Sequence, residues 1–386
     1  MIAHIYRSLM LLIFYSVCFH HWGCSTNHTQ QDLFAEQSAE SEGPYSIANT
    51  TIKIVDSSRS RRLTLELWYP SLAESVGDES PVNFEQAESS RIQVAELYDL
   101  APRDCPTRRT KSHRDGRLLS HQITYPLVLF SHCHNCGRYS SFSLAERLAS
   151  HGMVVISVDH AGSLPFLPMA VGEKLLPSQL EVRVQDLQFI MDSSLNGTLF
   201  LGSGVLKNLL IDHEKIGVFG HSFGSVTAAF FAHQERKVQA VGGLAAPMQN
   251  PLFPEFSITE LNIPIFLLLA EEDNSIGEVG NRLIRSNFDQ AIAPIWKLDL
   301  ADSGHWSVSD LCGLVDAFSP GCGRGTRHSD TGLGEPFEYI PVKDAIEITQ
   351  QYLTAFFLAH LTQRQDALNY LNSPSEDSRY VIQHRP

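Results

Sequence analysis

Six short and nearly unbroken apolar runs recur along the chain, and most of them are separated by segments with helical periodicity. The runs span residues 127–130, 153–158, 216–219, 238–244, 263–270 and 295–300. Such runs are typical of strands in a parallel sheet that is buried on both faces. The helical segments lie near residues 140–150, 179–192, 222–235, 278–290 and 342–361. This alternation predicts an α/β fold, with a mostly parallel twisted sheet covered by helices on both faces.

The segment before the first run differs from the rest. Residues 51–55 and 63–69 are rich in β-forming residues and are separated by a polar turn, which predicts an antiparallel hairpin at the N-terminal side of the sheet. Residues 71–122 are polar and rich in arginine, and we expect a solvated surface excursion there. The predicted catalytic domain spans 49–365, and residues 366–386 are expected to form a C-terminal tail.

The N-terminus has the pattern of an export signal. Arg7 precedes an apolar run over residues 9–19, which is too short to span a bilayer comfortably. The pattern predicts a signal peptide over residues 1–23. It ends at Gly23-Cys24, which resembles a bacterial lipoprotein cleavage site with Cys24 as the lipidated residue. A plain cleaved signal is the alternative, and a polar tether is expected over residues 24–48.

Either interpretation exports the protein, to the periplasm, to the outer membrane as a lipoprotein, or outside the cell. The 386 residues carry a net charge of −14, which disfavours nucleic acid or an anionic membrane surface as a partner. Membrane attachment would then depend on a lipid on Cys24. The sequence does not predict an oligomeric state.

Residues 220–224 form a G-x-S-x-G pentapeptide with Ser222 at its centre. A predicted strand precedes it and a predicted helix follows it. This is the context of a nucleophile elbow, in which a tight strand-to-helix turn exposes the serine hydroxyl beside a helix N-terminus. An ordinary glycine-rich turn is the alternative. We predict that Ser222 is a nucleophile.

A serine nucleophile needs a base that is held by an acid, and in this kind of fold the acid and then the histidine follow the serine along the chain. His305 lies in a small-residue turn directly after the run at 295–300. Three adjacent carboxylates follow the run at 263–270, and we select Asp273, with Glu272 as the alternative. Asp302 lies too close to His305 in sequence to reach its Nδ1 atom well.

Two backbone N–H groups are expected to form an oxyanion hole. One is that of Phe223, directly after the nucleophile. The other belongs to the loop over residues 131–137, where His134 is the candidate.

Five cysteines lie outside the predicted leader, and export makes disulfides plausible. Cys312 and Cys322 bracket a short loop and are the expected pair. Cys133 and Cys136 form a C-x-x-C motif within the candidate oxyanion loop. A small disulfide there is one interpretation; a redox role, or metal binding together with His132 and His134, are less favoured alternatives.

Other polar pairs are open to two interpretations. Asp159 and His160 follow a predicted strand and would either line a pocket or form a structural pair. Arg183 and Asp186 are separated by three positions on a predicted helix, which favours a structural ion pair. An apolar group after residue 158 would form either a cap over an acyl pocket or ordinary core; its members are Phe166, Leu167, Met169, Leu175 and Leu176.

Several of these segments together resemble the platelet-activating-factor acetylhydrolase-like family of α/β hydrolases, which merges into bacterial lipases and polyester hydrolases. They are YPLVLFSH (125–132), LASHGMVVISVDH (148–160), GHSFGS (220–225), LWYP (67–70) and AFF (355–357). The similarity covers about residues 50–365, and the segment 71–122 lies outside it. Cys133 departs from the family, which usually has glycine at this position.

The resemblance implies an α/β-hydrolase fold, a triad of Ser222, Asp273 and His305, and oxyanion donors at Phe223 and His134. It implies a serine-dependent esterase or lipase that acts on short acyl groups of phospholipids or on other esters, with no metal and no organic cofactor. A serine amidase or peptidase, and a non-catalytic exported binding protein with the same fold, are the alternatives.

Overall fold

The computed structural model describes residues 37–72, 77–160, 175–330 and 332–386. The strands are β1 (Ser46–Asp56), β2 (Arg61–Ser71), β3 (Ser112–Arg114), β4 (Thr124–Ser131), β5 (Val154–Val158), β6 (Leu210–His221), β7 (Val238–Leu244), β8 (Ile265–Ala270), β9 (Ile295–Leu300), β10 (Arg324–Thr326), β11 (Pro336–Glu338) and β12 (Tyr380–Arg385). The helices are α1 (Glu88–Leu100), α2 (Phe142–Ser150), α3 (Pro177–Leu195), α4 (Phe223–Gln234), α5 (Gly277–Gln290), α6 (Val342–Leu361) and α7 (Gln365–Asn372).

Ten of these strands form one sheet, in the order β12-β9-β8-β7-β6-β4-β5-β2-β1-β3. The six strands from β5 to β9 in this order are parallel to one another. β1 and β2 form the predicted antiparallel hairpin, and β2 is antiparallel to β5. The prediction of a mostly parallel sheet with an N-terminal hairpin is confirmed.

The apolar runs become strands because both faces of the sheet are covered. In β4, Leu127 and Leu129 belong to one buried cluster, whereas Val128 and Phe130 belong to the other. Residues of α3, α4 and α5 join the first cluster, and residues of α2 and α6 join the second. A strand between two such layers needs apolar side chains at every position, which explains why its sequence does not alternate.

The sheet order reverses direction at β4, since β5 lies on one side of it and β6 on the other. Ser131 at the end of β4 is paired with Gly220 near the end of β6. In open α/β sheets the crevice at the carboxyl ends of such strands is the usual place for a ligand site. The loop after β4 and the elbow after β6 therefore meet at this edge.

The ends of the domain extend further than the sequence predicts. Residues 1–36, including the predicted signal peptide and Cys24, lie outside the described residues. The remainder of the predicted tether is packed: Ala39 is buried, and Tyr45 N donates to Ser150 O at 3.1 Å. The predicted C-terminal tail contains most of α7 and the whole of β12, and β12 pairs antiparallel with β9 along the sheet edge.

The segment 71–122 is also packed more closely than a solvated excursion. Phe84 is buried, and it stacks on Tyr139 with ring centres 5.2 Å apart. Val94 and Tyr98 of α1 are buried as well, and β3 pairs with β1. Single apolar residues supply these contacts. They are spaced among many arginines, so the overall polarity of the segment does not reveal them.

The predicted disulfide between Cys312 and Cys322 is wrong. Cys322 is bonded to Cys105, with Cα atoms 5.6 Å apart, and Cys312 is a free and buried thiol. Cys312 belongs to the second buried cluster, whereas Cys322 is partly buried and bonded to a cysteine in the segment after α1. The small disulfide between Cys133 and Cys136 is present, with Cα atoms 5.3 Å apart.

In the described part of the chain, none of the helices is both long enough and apolar enough to cross a membrane. Of the apolar group proposed as a cap or as core, Phe166, Leu167 and Met169 lie outside the described residues. Leu175 is half-buried and Leu176 is exposed at the start of α3.

Candidate active site

Ser222 occupies a strained turn between β6 and α4. Its backbone has φ 56° and ψ −124°, in a region that residues with a side chain rarely adopt. The Ser222 N–H donates to Leu244 O of β7 at 2.9 Å, which helps to hold the turn. α4 begins at the next residue, so the serine lies at the helix N-terminus.

Both glycines of the pentapeptide are required by close backbone contacts. A Cβ atom on Gly224 would lie 1.9 Å from Ser131 O, and one on Gly220 would lie 2.0 Å from the carbonyl carbon of Gly224. Contacts of this length are impossible for a side-chain carbon. Glycine at position 224 therefore lets the elbow pack against the end of β4, and glycine at position 220 lets the elbow close on itself.

His305 and Asp273 are brought together from different loops. The distance from His305 Nδ1 to Asp273 Oδ2 is 2.7 Å, and both side chains are at most 2% exposed. The other oxygen of Asp273 accepts from the N–H groups of Ser275 and Ile276, at 2.8 and 3.0 Å. These bonds orient the carboxylate towards the imidazole.

The neighbouring carboxylates have other partners. Glu272 accepts from Ser329 Oγ at 2.6 Å and from Arg327 Nη1 at 2.9 Å. Burial raises the pKa of Glu272, but these bonds outweigh burial and the pKa is lowered. Asp302 pairs with Arg327 at 2.8 Å. Of the candidates in the sequence, Asp273 is the one that is bonded to the imidazole of His305.

His221, which precedes the serine, links the elbow to the histidine loop. Its Nε2 donates to the backbone carbonyl of His305 at 2.9 Å, and the two rings are 5.0 Å apart. Burial, followed by the charge of His305, lowers the pKa of His221 to about 3. His221 is therefore neutral and serves as a fixed donor. Its position in the pentapeptide was visible in the sequence, but nothing there indicates its partner.

The turn that carries His305 is braced by the segment before Cys322. Gly304 N donates to Ser307 Oγ at 2.9 Å, and this hydroxyl donates to Gly321 O at 2.8 Å. The Cys105–Cys322 disulfide adjoins this contact. The turn of His305 is thus hydrogen-bonded to a segment that a disulfide holds one residue further on.

The loop after β4 lies beside the elbow. The rings of His134 and Phe223 meet edge to face, with centres 6.1 Å apart. Asn135 has a positive φ of 56°, and the disulfide between Cys133 and Cys136 closes the turn around it. The two residues that were predicted as oxyanion donors are therefore neighbours in space.

A second serine, histidine and aspartate form a buried chain below this loop. Ser131 Oγ and His160 Nε2 are 3.1 Å apart, and so are His160 Nδ1 and Asp186 Oδ2. All three residues are at most 1% exposed. The three side chains are buried against one another among the described residues, and we interpret this chain as structural. Asp186 also forms salt bridges to Arg59 and Arg61 at 2.9 and 2.8 Å.

The pairs that had two interpretations thus have structural partners. Asp159 accepts from Arg138 Nη1 at 2.8 Å, and His160 belongs to the buried chain. Arg183, which was predicted to pair with Asp186, donates to the carbonyl oxygens of His132 and Cys133. The sequence placed Arg183 on the correct helix but gave no sign that a distant loop would cover it.

Among the described residues, no group of three or more His, Cys, Asp and Glu side chains is arranged to hold a metal ion. Cys133 and Cys136 are joined to each other, so they do not provide the thiolates that the metal-binding alternative needs.

Comparisons with known proteins give matches to enzymes that are named as esterases or acetylhydrolases. The family model described as platelet-activating factor acetylhydrolase, isoform II, matches residues 35–166. A curated relative, the probable 1-alkyl-2-acetylglycerophosphocholine esterase of Arthroderma benhamiae, is 24% identical over 292 residues, which cover 71% of this chain and 68% of that protein. A ferulic acid esterase from Streptomyces cinnamoneus matches in structure with a TM-score of 0.63 and 23% identity, covering 91% of this chain and 100% of the other.

The structural match, which covers 91% of this chain, shows that the fold is an α/β-hydrolase fold, as the sequence predicted. Within this fold class, the chain resembles the platelet-activating factor acetylhydrolases, as the sequence predicted.

Proposed function

We propose that the protein is a serine esterase in which Ser222, His305 and Asp273 form the catalytic triad. The observation that carries this proposal is the 2.7 Å contact between His305 Nδ1 and Asp273 Oδ2, in a turn that touches the residue before Ser222. A buried imidazole that is held by a carboxylate next to an elbow serine has the composition of a hydrolytic triad.

The proposed mechanism follows from this contact. The Asp273 carboxylate accepts a hydrogen bond from the Nδ1–H group of His305, which leaves the lone pair of the ring on Nε2. In the first step His305 Nε2 takes the proton of the Ser222 hydroxyl while Ser222 Oγ attacks the acyl carbon. The imidazolium then protonates the leaving alkoxide, and water repeats the sequence on the acyl-enzyme.

The negative charge that develops on the carbonyl oxygen needs donors that are already oriented. We assign this role to the backbone N–H groups of Phe223 and His134. Phe223 lies in the first turn of α4, where the helix dipole also favours negative charge. In serine hydrolases, removing one such donor reduces the rate about 10²- to 10³-fold.

For the substrate, we propose an ester with a short acyl chain, with a glycerophospholipid that carries a short sn-2 acyl group as the first candidate. This is supported by the relative from Arthroderma benhamiae, which is named as an esterase of a 2-acetylglycerophosphocholine, and by the family match over residues 35–166.

Two measurements on purified protein test the reaction. In the first, p-nitrophenyl esters of increasing chain length are compared with matched p-nitroanilides and with a short-acyl phosphatidylcholine. We expect rapid turnover of the short esters and of the phospholipid. Hydrolysis of the anilides without hydrolysis of the esters would instead indicate an amidase.

In the second, wild type, Ser222→Ala and Ser373→Ala are exposed to a fluorophosphonate probe. Ser373 is an exposed serine after α7 and is the matched control. We expect labelling and hydrolysis to persist in Ser373→Ala and to be lost in Ser222→Ala. If Ser222→Ala were still labelled at another serine and still hydrolysed esters, the triad would be assigned wrongly.

We further propose that the protein is exported, with Cys24 as its lipidated N-terminus or with a plain cleaved signal. Two disulfides on active-site loops support export, because such bonds persist in oxidising compartments. The mass of the mature N-terminal peptide, from wild type and from Cys24→Ala, distinguishes the two forms. An N-terminal peptide that still begins at Met1 would contradict both.

A further inference from the structure

A buried arginine that the proposed mechanism does not use lies beneath the loop after β4. Arg183 belongs to α3 and is 2% exposed. Its Nη1 donates to His132 O at 2.6 Å, and its Nη2 donates to Cys133 O at 3.1 Å. Its guanidinium carbon lies 4.8 Å from the centre of the Phe223 ring, within range of a cation–π interaction. One cation thus contacts both segments to which we assign the oxyanion donors.

The bond to Cys133 O has a geometric consequence for His134. The carbonyl of Cys133 and the N–H of His134 belong to the same peptide unit. In a planar trans peptide these two groups point in opposite directions, and the described residues contain no cis peptide bond. A hydrogen bond that holds the carbonyl towards Arg183 therefore directs the N–H of His134 away from Arg183, and it prevents rotation of the peptide unit.

A second donor reinforces the same carbonyl. His132 Nδ1 lies 2.7 Å from Cys133 O, and His132 Nε2 accepts from the N–H of His160 at 3.3 Å. Because Nε2 accepts, the proton of the neutral ring is on Nδ1, which donates to the carbonyl. Burial, and then the charge of Arg183, lower the pKa of His132 well below its ordinary value, so the ring stays neutral.

We propose that Arg183 is a positioning residue that orients the donors of the oxyanion hole, an inference that rests on the function proposed above. It acts on His134 through the peptide plane and on Phe223 through the face of its ring. A buried guanidinium is costly to desolvate. Its planar fork of donors can bind two successive carbonyl oxygens at once, which the compact ammonium group of lysine does poorly. The disulfide between Cys133 and Cys136 closes the remaining side of the same turn.

The experiment compares Arg183→Met and Arg183→Lys with wild type. Methionine fills much of the space but donates nothing, whereas lysine retains the charge without the fork. We expect kcat to fall about a hundredfold in Arg183→Met, with KM within about threefold, because the lost interaction acts mainly in the transition state. The kcat of Arg183→Lys should lie between those of Arg183→Met and wild type.

Two readouts separate positioning from a merely structural role. Titration with a fluorophosphonate counts the active molecules, so that kcat is expressed per active site. The inhibition constant of a trifluoromethyl ketone, which forms a tetrahedral oxyanion on the serine, should rise by about the same factor as kcat/KM falls.

Arg147→Met is the matched control, because Arg147 of α2 is also buried and also donates to a backbone carbonyl, that of Ala39 in the N-terminal segment. We expect it to lose stability and to keep its kcat per active site. The proposal is overturned if kcat per active site in Arg183→Met stays within about threefold of wild type. If Arg183→Met does not fold, the same limit applied to Arg183→Lys decides. Failure of the proposed function is distinguishable, since wild type itself would then show no Ser222-dependent turnover.

Discussion

At the scale of single residues, two adjacent carboxylates after β8 have different partners. Asp273 faces the imidazole of His305, and Glu272 faces the segment over residues 327–329. The difference arises because successive side chains in the turn point in different directions, and because the N–H groups of Ser275 and Ile276 bind one oxygen of Asp273.

This division leads to a paired prediction. In Asp273→Asn we expect kcat to fall about 10³- to 10⁴-fold, because the amide cannot hold His305 in the tautomer that accepts a proton at Nε2. In Glu272→Gln we expect kcat within a few fold of wild type and a loss of about 1–3 kcal/mol in the free energy of unfolding, because a buried, charge-assisted bond to Arg327 is weakened.

Steady-state kinetics and urea unfolding on both variants check this prediction. The reverse pattern, in which Glu272→Gln loses the activity and Asp273→Asn keeps it, would exchange the two assignments.

The sequence could place Ser222 in an elbow and His305 in a turn after β9, because each follows an apolar strand in a turn of small residues. It could not decide firmly between Glu272 and Asp273, since that choice depends on the shape of one turn. It also gave no sign of the partners of Arg183, which lie in the loop after β4 some fifty positions earlier in the chain. Contacts of this kind depend on how loops from separate strands meet, and no local pattern encodes them.

At the scale of elements, two buried carboxylates hold α2 between its neighbours. Glu146 of α2 accepts from Ser112 of β3, from its Oγ at 2.7 Å and its N–H at 3.0 Å. Asp310, in the loop that follows His305, accepts from Ser143 N at the start of α2 at 2.8 Å. Burial raises the pKa of Glu146 to about 7 and that of Asp310 to about 6.

The raised pKa of Glu146 gives the stability a defined pH dependence. The folded protein binds the proton of Glu146 more tightly than the unfolded chain does. The contribution of this proton to the free energy of unfolding is therefore fully present below about pH 4 and is lost as the pH rises through about 7. Glu146→Gln cannot ionise. We therefore expect the free energy of unfolding of the variant minus that of wild type to rise between about pH 4 and pH 8, by on the order of 3 kcal/mol at most.

Urea unfolding across this range measures the difference. Glu347→Gln, which changes an exposed glutamate of α6, is the control and should differ from wild type by a constant amount. A constant difference for Glu146→Gln as well would show that this carboxyl is not protonated in the folded state.

The predicted elements agree with the structure wherever burial dictates the sequence pattern. β7, β9 and α6 begin and end where the sequence predicts. Agreement is poorest for residues 71–122 and 366–386, where short elements such as β3 and β12 are stabilised by contacts with distant parts of the chain. Six residues at a sheet edge carry little local signal, and their partner strand decides their conformation.

At the scale of the whole molecule, the two disulfides close loops of very different length. Cys105 and Cys322 are separated by 217 positions, and Cys133 and Cys136 by 3. In the chain-entropy account, a cross-link restricts the unfolded chain more when it closes a longer loop.

We therefore expect unequal losses of stability when each pair is replaced by alanine. Removing Cys105 and Cys322 should lower the free energy of unfolding by about 2–5 kcal/mol, and removing Cys133 and Cys136 should lower it by less. The second variant should instead lose kcat, because the loop that carries His134 is released. Chemical unfolding and ester kinetics without reductant provide both values, and equal losses of stability would contradict the loop-length argument.

The pairing of β12 with β9 has a consequence for handling the protein. β9 leads directly into the turn of His305, and β12 satisfies its outer row of N–H and C=O groups from Ile295 to Leu300. A chain that ended before Tyr380 would leave this row open to other molecules, and exposed rows of this kind recruit foreign strands into aggregates. The last residues of the sequence thus protect an edge of the sheet. Removing them would expose the strand that leads into the turn of His305 and make that edge prone to intermolecular pairing.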